Sequence, residues 1–334
     1  MFYSEIIIYE DGAIPCDKMD IKMFGKSFLP ILYGLVFTIG MVGNFLVVLT
    51  ILKARHQKSI TDIFFLNLAI SDLLFVISLP FWASYIIRDW TLGTFACKMV
   101  SSFYSVGFFG GMFFITIISI DRYLAIVRAT CIMKSRTVTY GHLTSLSIWA
   151  LSDRKCTSLY PEHLNIIWPV FSYLEMNVIG FLLPMCIMSY CYLQIIRTLL
   201  SCKNQCKQKA MKVISLVVIV FFLFWTPYHI SLFLQVLQYF EVFKDCSSLR
   251  SLDYTVQVTE TVAFSHCCLN PIIYVFAGEK FRKYFSHLVL RCISFTCACG
   301  YCGKYNGGVP TAIPDCAMTS NHTQNTSDRE MSLL

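Results

Sequence analysis

Six stretches of this chain hold twenty or more largely apolar residues, at 29–52, 63–87, 99–120, 177–196, 213–240 and 256–276. A helix that crosses a hydrocarbon core of about 30 Å needs about 20 such residues. A bilayer core holds no water to bond a bare backbone. Each stretch is therefore predicted as a spanning helix, with its internal Gly and Pro marking kinks and not ends. One Asp interrupts 63–87, and one Glu and one His interrupt 256–276. A shorter stretch lies between Arg136 and Asp153, with sixteen uncharged residues, several of them polar or small.

Basic residues decide whether that short stretch crosses, because Lys and Arg beside spans favour the cytoplasm. With the N-terminus outside and seven crossings, the segments beside the spans carry fifteen basic residues on the cytoplasmic side and nine outside. Without the fourth crossing, the five basic residues in 197–212 face outward, so seven is favoured over six. The organisation expected is an outer N-terminus at 1–28, a seven-helix bundle at 29–276, an amphipathic membrane-surface helix at 277–290 and a cytoplasmic tail at 291–334. The fold class is all-α membrane protein, with the fourth helix shortened.

Composition agrees. The 334 residues are 56% hydrophobic and 14% charged, with a mean hydropathy of +0.61, more apolar surface than one soluble core of this length hides. The net charge of +7 is parcelled out between apolar stretches, whereas nucleic-acid binding needs it gathered on one face. The first 28 residues lack the basic-then-apolar pattern of a cleaved leader, so the first span is expected to serve as an uncleaved signal.

Of sixteen cysteines, this topology puts Cys16, Cys97, Cys156 and Cys246 outside. Four thiols in an oxidising compartment permit three pairings. The expectation is Cys97–Cys156 and Cys16–Cys246, with free thiols as the alternative. Cys297, Cys299 and Cys302 lack a second ligand pair at zinc spacing; following the stripe Phe281, Phe285, Leu288 and Val289, they read as palmitoylation sites beside a helix on the inner leaflet. Asn321 and Asn325 match the glycosylation pattern but follow the last span and are discounted.

An ionisable residue inside a span costs at least about 2.5–3.5 kcal/mol on insertion scales, so each asks for a partner or a task. The few present are Asp72, Asp121, Arg122, His229, Glu260 and His266. Asp72, Asp121 and Arg122, together with Asn44, Tyr123, Trp225, Pro227, Asn270, Pro271 and Tyr274, resemble the motifs of rhodopsin-class G-protein-coupled receptors. Within that class, Ser78 to Pro80, Asp121 to Val127 and His266 to Asn270 resemble the chemokine receptors. The runs at 187–192, 201–204, 217–227 and 260–266 are most similar to the branch of that family that binds fractalkine-like chemokines.

The resemblance implies a receptor and not an enzyme. It places Arg122 against Asp121 at rest and, in the active state, against Tyr192, Tyr274 and the helix end of a G protein of the inhibitory type. Pro227 and Pro271 remove backbone bonds where helices six and seven must bend. Tyr33, Trp82, Tyr104 and Glu260 stand at the ligand pocket. Tyr3, Tyr9, Glu10 and Asp11 stand where a basic chemokine is first held, with the tyrosines as sulfation sites. Tail hydroxyls such as Thr319 and Ser332 imply phosphorylation and arrestin binding, and the membrane lipid is the remaining partner.

Two departures limit what is carried over. A sodium ion is implied at Asp72, Asn270 and a helix-three hydroxyl, but this chain has Gly111 at the hydroxyl's place. Between Trp149 and Cys156 stand only six residues, roughly a dozen fewer than relatives carry, which points to poor maturation and partial retention in the endoplasmic reticulum. A transporter or channel would show related halves or charges converging at mid-membrane, and an intramembrane enzyme a convergent nucleophile, metal or acid pair; neither pattern is present. A non-signalling decoy receptor stays open.

Overall fold

The computed structural model describes residues 19–53, 59–88, 90–128, 138–152, 167–201, 205–243 and 245–277. Among these, the chain forms seven helical rods and no strand. They are α1 (Met19–Lys53), α2 (Ile60–Arg88), α3 (Gly93–Val127), α4 (Val138–Ser152), α5 (Ile167–Asn177, a π turn at Val178–Leu182, then Leu183–Ser201), α6 (Gln205–Tyr239) and α7 (Cys246–Ala277). Residues 1–18, Cys156, the surface helix expected at 277–290 and the tail lie outside the described residues, apart from Ala277 at the end of α7, and so does the Tyr274 side chain.

The rods close into a ring in which α1 packs on α2 and α7, α2 on α3, α3 on α5, α5 on α6 and α6 on α7, with α4 set outside against α2 and α3. Five of them, α1, α2, α3, α5 and α6, are long and apolar enough to cross a membrane. α4 falls short with 15 residues. α7 has 32 residues but carries the charged Arg250 and spends others on Asp253, Glu260, His266 and Asn270, polar groups that are buried in the interior. Large apolar residues are turned outward, as Ile31, Leu35, Ile39, Val42 and Phe45 are on one flank of α1. The buried set instead mixes aromatic side chains with Asn44, Asp72, Glu260, His266 and Asn270. This inside-out partition is what a lipid-immersed bundle requires.

Local chemistry sets where the rods start and how closely they lie. At the start of α2, the Ser59 N–H donates to Asp62 Oδ2 at 2.9 Å and the Asp62 N–H to Ser59 Oγ at 3.2 Å, a reciprocal capping box. Asp245 caps α7, accepting from the Ser248 N–H and the Ser247 hydroxyl, each at 2.8 Å, and these bonds hold its carboxyl down at about 2. Gly107 lets α3 lie against α2, since a Cβ there would fall 2.6 Å from the Phe75 backbone nitrogen. Gly43 does the same for α1 against α7, where a Cβ would meet Pro271 Cγ at 2.9 Å. In α5, Pro184 cannot donate to the carbonyl four residues back, and the helix widens into the π turn just before it.

Candidate ligand and coupling sites

Towards the end of the bundle where α1 and α7 begin, Glu260 lies buried between three helices. The Tyr33 hydroxyl of α1 donates to its Oε2 at 3.1 Å, and the Tyr228 hydroxyl of α6 to its Oε1 at 3.5 Å. A carboxylate taken from water needs such donors, or the burial would be prohibitive. Around it, Trp82 meets Tyr104 edge-on with ring centroids 6.3 Å apart. Tyr104 in turn meets Phe264 at 6.0 Å, and Phe264 meets Tyr33 at 5.9 Å. The four pocket residues expected from the sequence are thus assembled into one aromatic cup, with Phe264 joining them. Tyr228 went unnoticed because it stands among other aromatics next to Pro227. Its helical position alone does not reveal that its hydroxyl meets a carboxylate from α7.

Aromatic contacts continue inward from the cup. Tyr104 stacks on Phe108 at 6.2 Å, Phe108 meets Trp225 at 5.2 Å, and Trp225 meets His266 at 6.1 Å. His229 lies flat on Phe181 of the α5 π turn, with centroids 4.3 Å apart, and its Nδ1 is 3.3 Å from Asn177 Oδ1. Trp225 is therefore wedged between α3 and α7, two residues before Pro227.

Below Trp225 a cavity of about 20 Å³ separates α2, α3, α6 and α7, room for about one water. Asp72 lines it and accepts a bond from Asn270 Nδ2 at 2.9 Å. Asn44 ties α1 to α7 by donating to the Cys267 carbonyl at 3.1 Å. Sodium, a hard cation, wants several oxygen ligands. Among the residues lining this cavity only Asp72 has a side-chain oxygen; the rest present the Cys267 thiol, the His266 imidazole, the Met112 thioether, rings, hydrocarbon or no side chain. Asn270 turns its amide NH₂ to the carboxylate, and the Ser71 hydroxyl donates to the Gly107 carbonyl at 2.8 Å. A Cβ at Gly111 would lie 3.9 Å from Asp72 Oδ1, in ordinary contact, so a side chain at that position fits without displacing its neighbours. The donor set does not fit sodium.

At the opposite end of α3, Asp121 and Arg122 pair at 3.4 Å, with side-chain exposures of 4% and 13%. Thr61 of α2, absent from the sequence expectations, stands between them: its hydroxyl donates to Asp121 Oδ2 at 3.3 Å and accepts from Arg122 Nη2. Tyr123 packs on Tyr190 at 5.9 Å, and the Tyr192 hydroxyl lies in the neighbourhood of Arg122. Tyr123, Tyr192 and the Asp121–Arg122 pair are thus gathered where α3 meets α5. Of the cysteines expected outside, Cys246 is disulfide-bonded and Cys97 is half-buried near the start of α3. Their expected partners Cys16 and Cys156, with Tyr3, Tyr9, Glu10 and Asp11, lie outside the described residues.

Comparison with known proteins places this architecture. The family model for the 7 transmembrane receptor (rhodopsin family) matches residues 43–153 and 152–274, two pieces that meet where α4 ends. The chain is 50% identical to the CX3C chemokine receptor 1 of Rattus norvegicus over 98% of its length and 96% of the relative's. It is 48% identical to the Homo sapiens form, covering 99% and 98%. With the C-C chemokine receptor type 4 of Homo sapiens it shares 47%, covering 98% and 95%. Seven helices, six of them closed into a ring with α4 set outside, a carboxylate in an aromatic cup, an Asp–Arg pair at the far end and near-full-length identity at this level converge, and the chain belongs to the chemokine receptors of the rhodopsin family of seven-transmembrane G-protein-coupled receptors.

Proposed function

We propose that the chain binds a basic, fractalkine-like chemokine on its outer side and passes that event to a heterotrimeric G protein of the inhibitory type, for leukocyte migration or adhesion. The observation that carries this reading is Glu260, the carboxylate that two tyrosines from other helices hold at the base of an aromatic cup. A cationic ligand group entering the cup competes with Tyr33 and Tyr228 for that carboxylate, which changes the packing of α1 and α6 on α7. The ring contacts from Tyr104 through Phe108 to Trp225 carry the change to Pro227, where α6 is free to bend. A ligand that binds the bent arrangement more tightly shifts the population toward it. Release of Arg122 from Asp121 then presents its guanidinium to Tyr192, Tyr274 and the G protein.

The acidic N-terminus, with Tyr3, Tyr9, Glu10 and Asp11, makes the first electrostatic contact with the ligand. Cys97–Cys156 and Cys16–Cys246 hold the outer segments in place. Phosphorylated tail hydroxyls recruit arrestin, and acylated cysteines past residue 290 hold the tail to lipid. One observation favours a second reading, a poorly trafficked or non-signalling receptor: α4 has 15 residues, about 22 Å of helix at 1.5 Å per residue.

The test is display of the full chain on cells, with nucleotide exchange driven by a basic CX3C-type chemokine. Exchange on an inhibitory-type G protein that Arg122→Ala abolishes, with surface level and ligand binding kept, supports coupling. Silence of both forms with ligand binding intact establishes the non-signalling reading.

A further inference from the structure

The structure assigns to Thr61 the task of holding Arg122 in the resting position, through a hydroxyl that bridges Asp121 and Arg122 from the neighbouring helix. Asp121 and Arg122 are adjacent in α3, and adjacent residues on a helix point about 100° apart and do not face each other. Their pairing at 3.4 Å is long for a charge-assisted contact, so the two groups by themselves are poorly posed to restrain one another. Thr61 supplies what they lack. A hydroxyl has one donor and two acceptor positions. Here the donor goes to Asp121 Oδ2 at 3.3 Å and an acceptor takes Arg122 Nη2.

The bridge is rigid on its own side. Thr61 is 9% exposed and β-branched, hence stiff at χ1. It is also the second residue of α2, whose first turn is set by the reciprocal Ser59–Asp62 cap. The capped end of α2 thus fixes a hydroxyl in space, and that hydroxyl fixes the relation of acid to base on α3. Any state in which Arg122 reaches toward α5 has to surrender the bond to Thr61, so Thr61 weights the equilibrium toward rest. It is a positioning residue that acts through Arg122 and touches neither ligand nor, in this state, any partner.

This inference rests on the proposed coupling to a G protein, and the experiment separates the two. Basal and chemokine-driven nucleotide exchange are measured for the full-length parent, Thr61→Val and Thr61→Ser, alongside thermal unfolding of the solubilised chains and a double-mutant cycle of Thr61→Val with Asp121→Ala. Val keeps the shape of Thr and removes the hydroxyl, so basal exchange is expected to rise about 10-fold, the weight of one hydrogen bond to a charged group. Ser restores the hydroxyl and returns exchange toward the parent's level. A gain of activity with rescue is an outcome that misfolding does not produce. Thr61→Val is also expected to shift the unfolding midpoint far less in the Asp121→Ala background than in the parent. Equal basal exchange in parent and Thr61→Val, or fully additive midpoints, overturns the assignment. If no form exchanges nucleotide, the coupling reading fails, and additivity in the thermal cycle still decides whether the bridge exists.

Discussion

Glu260 and Gly111 show how much a single position decides. Glu260 is flanked along α7 by residues that give no hint of its partners, and its hydroxyl donors come from residues 227 and 32 positions away in the chain. Replacing it with Gln keeps the shape and removes the charge. Ligand-driven exchange is expected to fall about 10-fold or more, while binding at the surface falls less, because the outer contacts remain; equal signalling by parent and Glu260→Gln sinks this role. Gly111 works by what it lacks. The unfolding midpoint of the solubilised chain should be the same in sodium chloride and choline chloride at equal ionic strength. Gly111→Ser, whose Cβ has room, should gain a sodium-specific rise on the order of 2 °C, as about 1 kcal/mol of ligand stabilisation would give. A sodium-specific rise already present in the parent contradicts the donor-set argument.

Among the elements, α4 is the exception. Six helices cover the thickness of a hydrocarbon core, whereas the 15 residues of α4 leave a shortfall of about 8 Å against a core of about 30 Å. Asp153, Arg154 and Lys155 follow at once, so the bilayer has to thin or their side chains have to reach outward. α4 packs on α2 and α3, and a longer helix would extend those contacts. Insertion of about ten apolar residues after Ala150 is expected to raise the fraction of chain at the cell surface severalfold, measured against endoplasmic-reticulum retention of the parent. Efficient display of the parent with Cys97 and Cys156 bonded would show the short helix to be tolerated. The N-terminal end of α7 is held by its cap: the Asp245 carboxylate contributes above the ordinary carboxyl value of 3.8 and is lost as pH falls through about 2.

At the scale of the whole molecule, the N-terminal ends of α1 and α7 are tied together. Arg250 pairs with Asp20 at 2.6 Å, and Phe24 sits edge-on to Tyr254 with centroids 5.3 Å apart. The ion pair is exposed, and such pairs contribute little, but with the Cys246 disulfide it marks where the acidic N-terminus leaves the bundle. Association with a basic chemokine is therefore expected to be steered by charge, its rate falling as added salt takes the Debye length below about 10 Å. A rate that ignores salt points to an apolar docking surface instead.

The sequence by itself determined the number of helices, the apolar middle of each, the shortness of the fourth and the polar residues that lie inside, because a bilayer imposes a length on each span and a penalty on each buried charge. It did not show that α1, α5 and α7 begin ten residues before the expected spans, at Met19, Ile167 and Cys246, because those leading stretches carry polar residues that a hydropathy pattern does not count. The resemblance in its motifs named the pocket and coupling residues one by one. Only the tertiary structure decided which of those residues touch: Tyr33 and Tyr228 on Glu260, Thr61 between Asp121 and Arg122, His229 on Phe181. It also decided that the cavity at Asp72 presents a single side-chain oxygen. Spacing along one helix says which face a residue occupies, but hydrogen bonds between helices depend on how rods far apart in the chain are rotated and staggered. That is settled by packing details such as the close approaches at Gly107 and Gly43, and no local pattern encodes them.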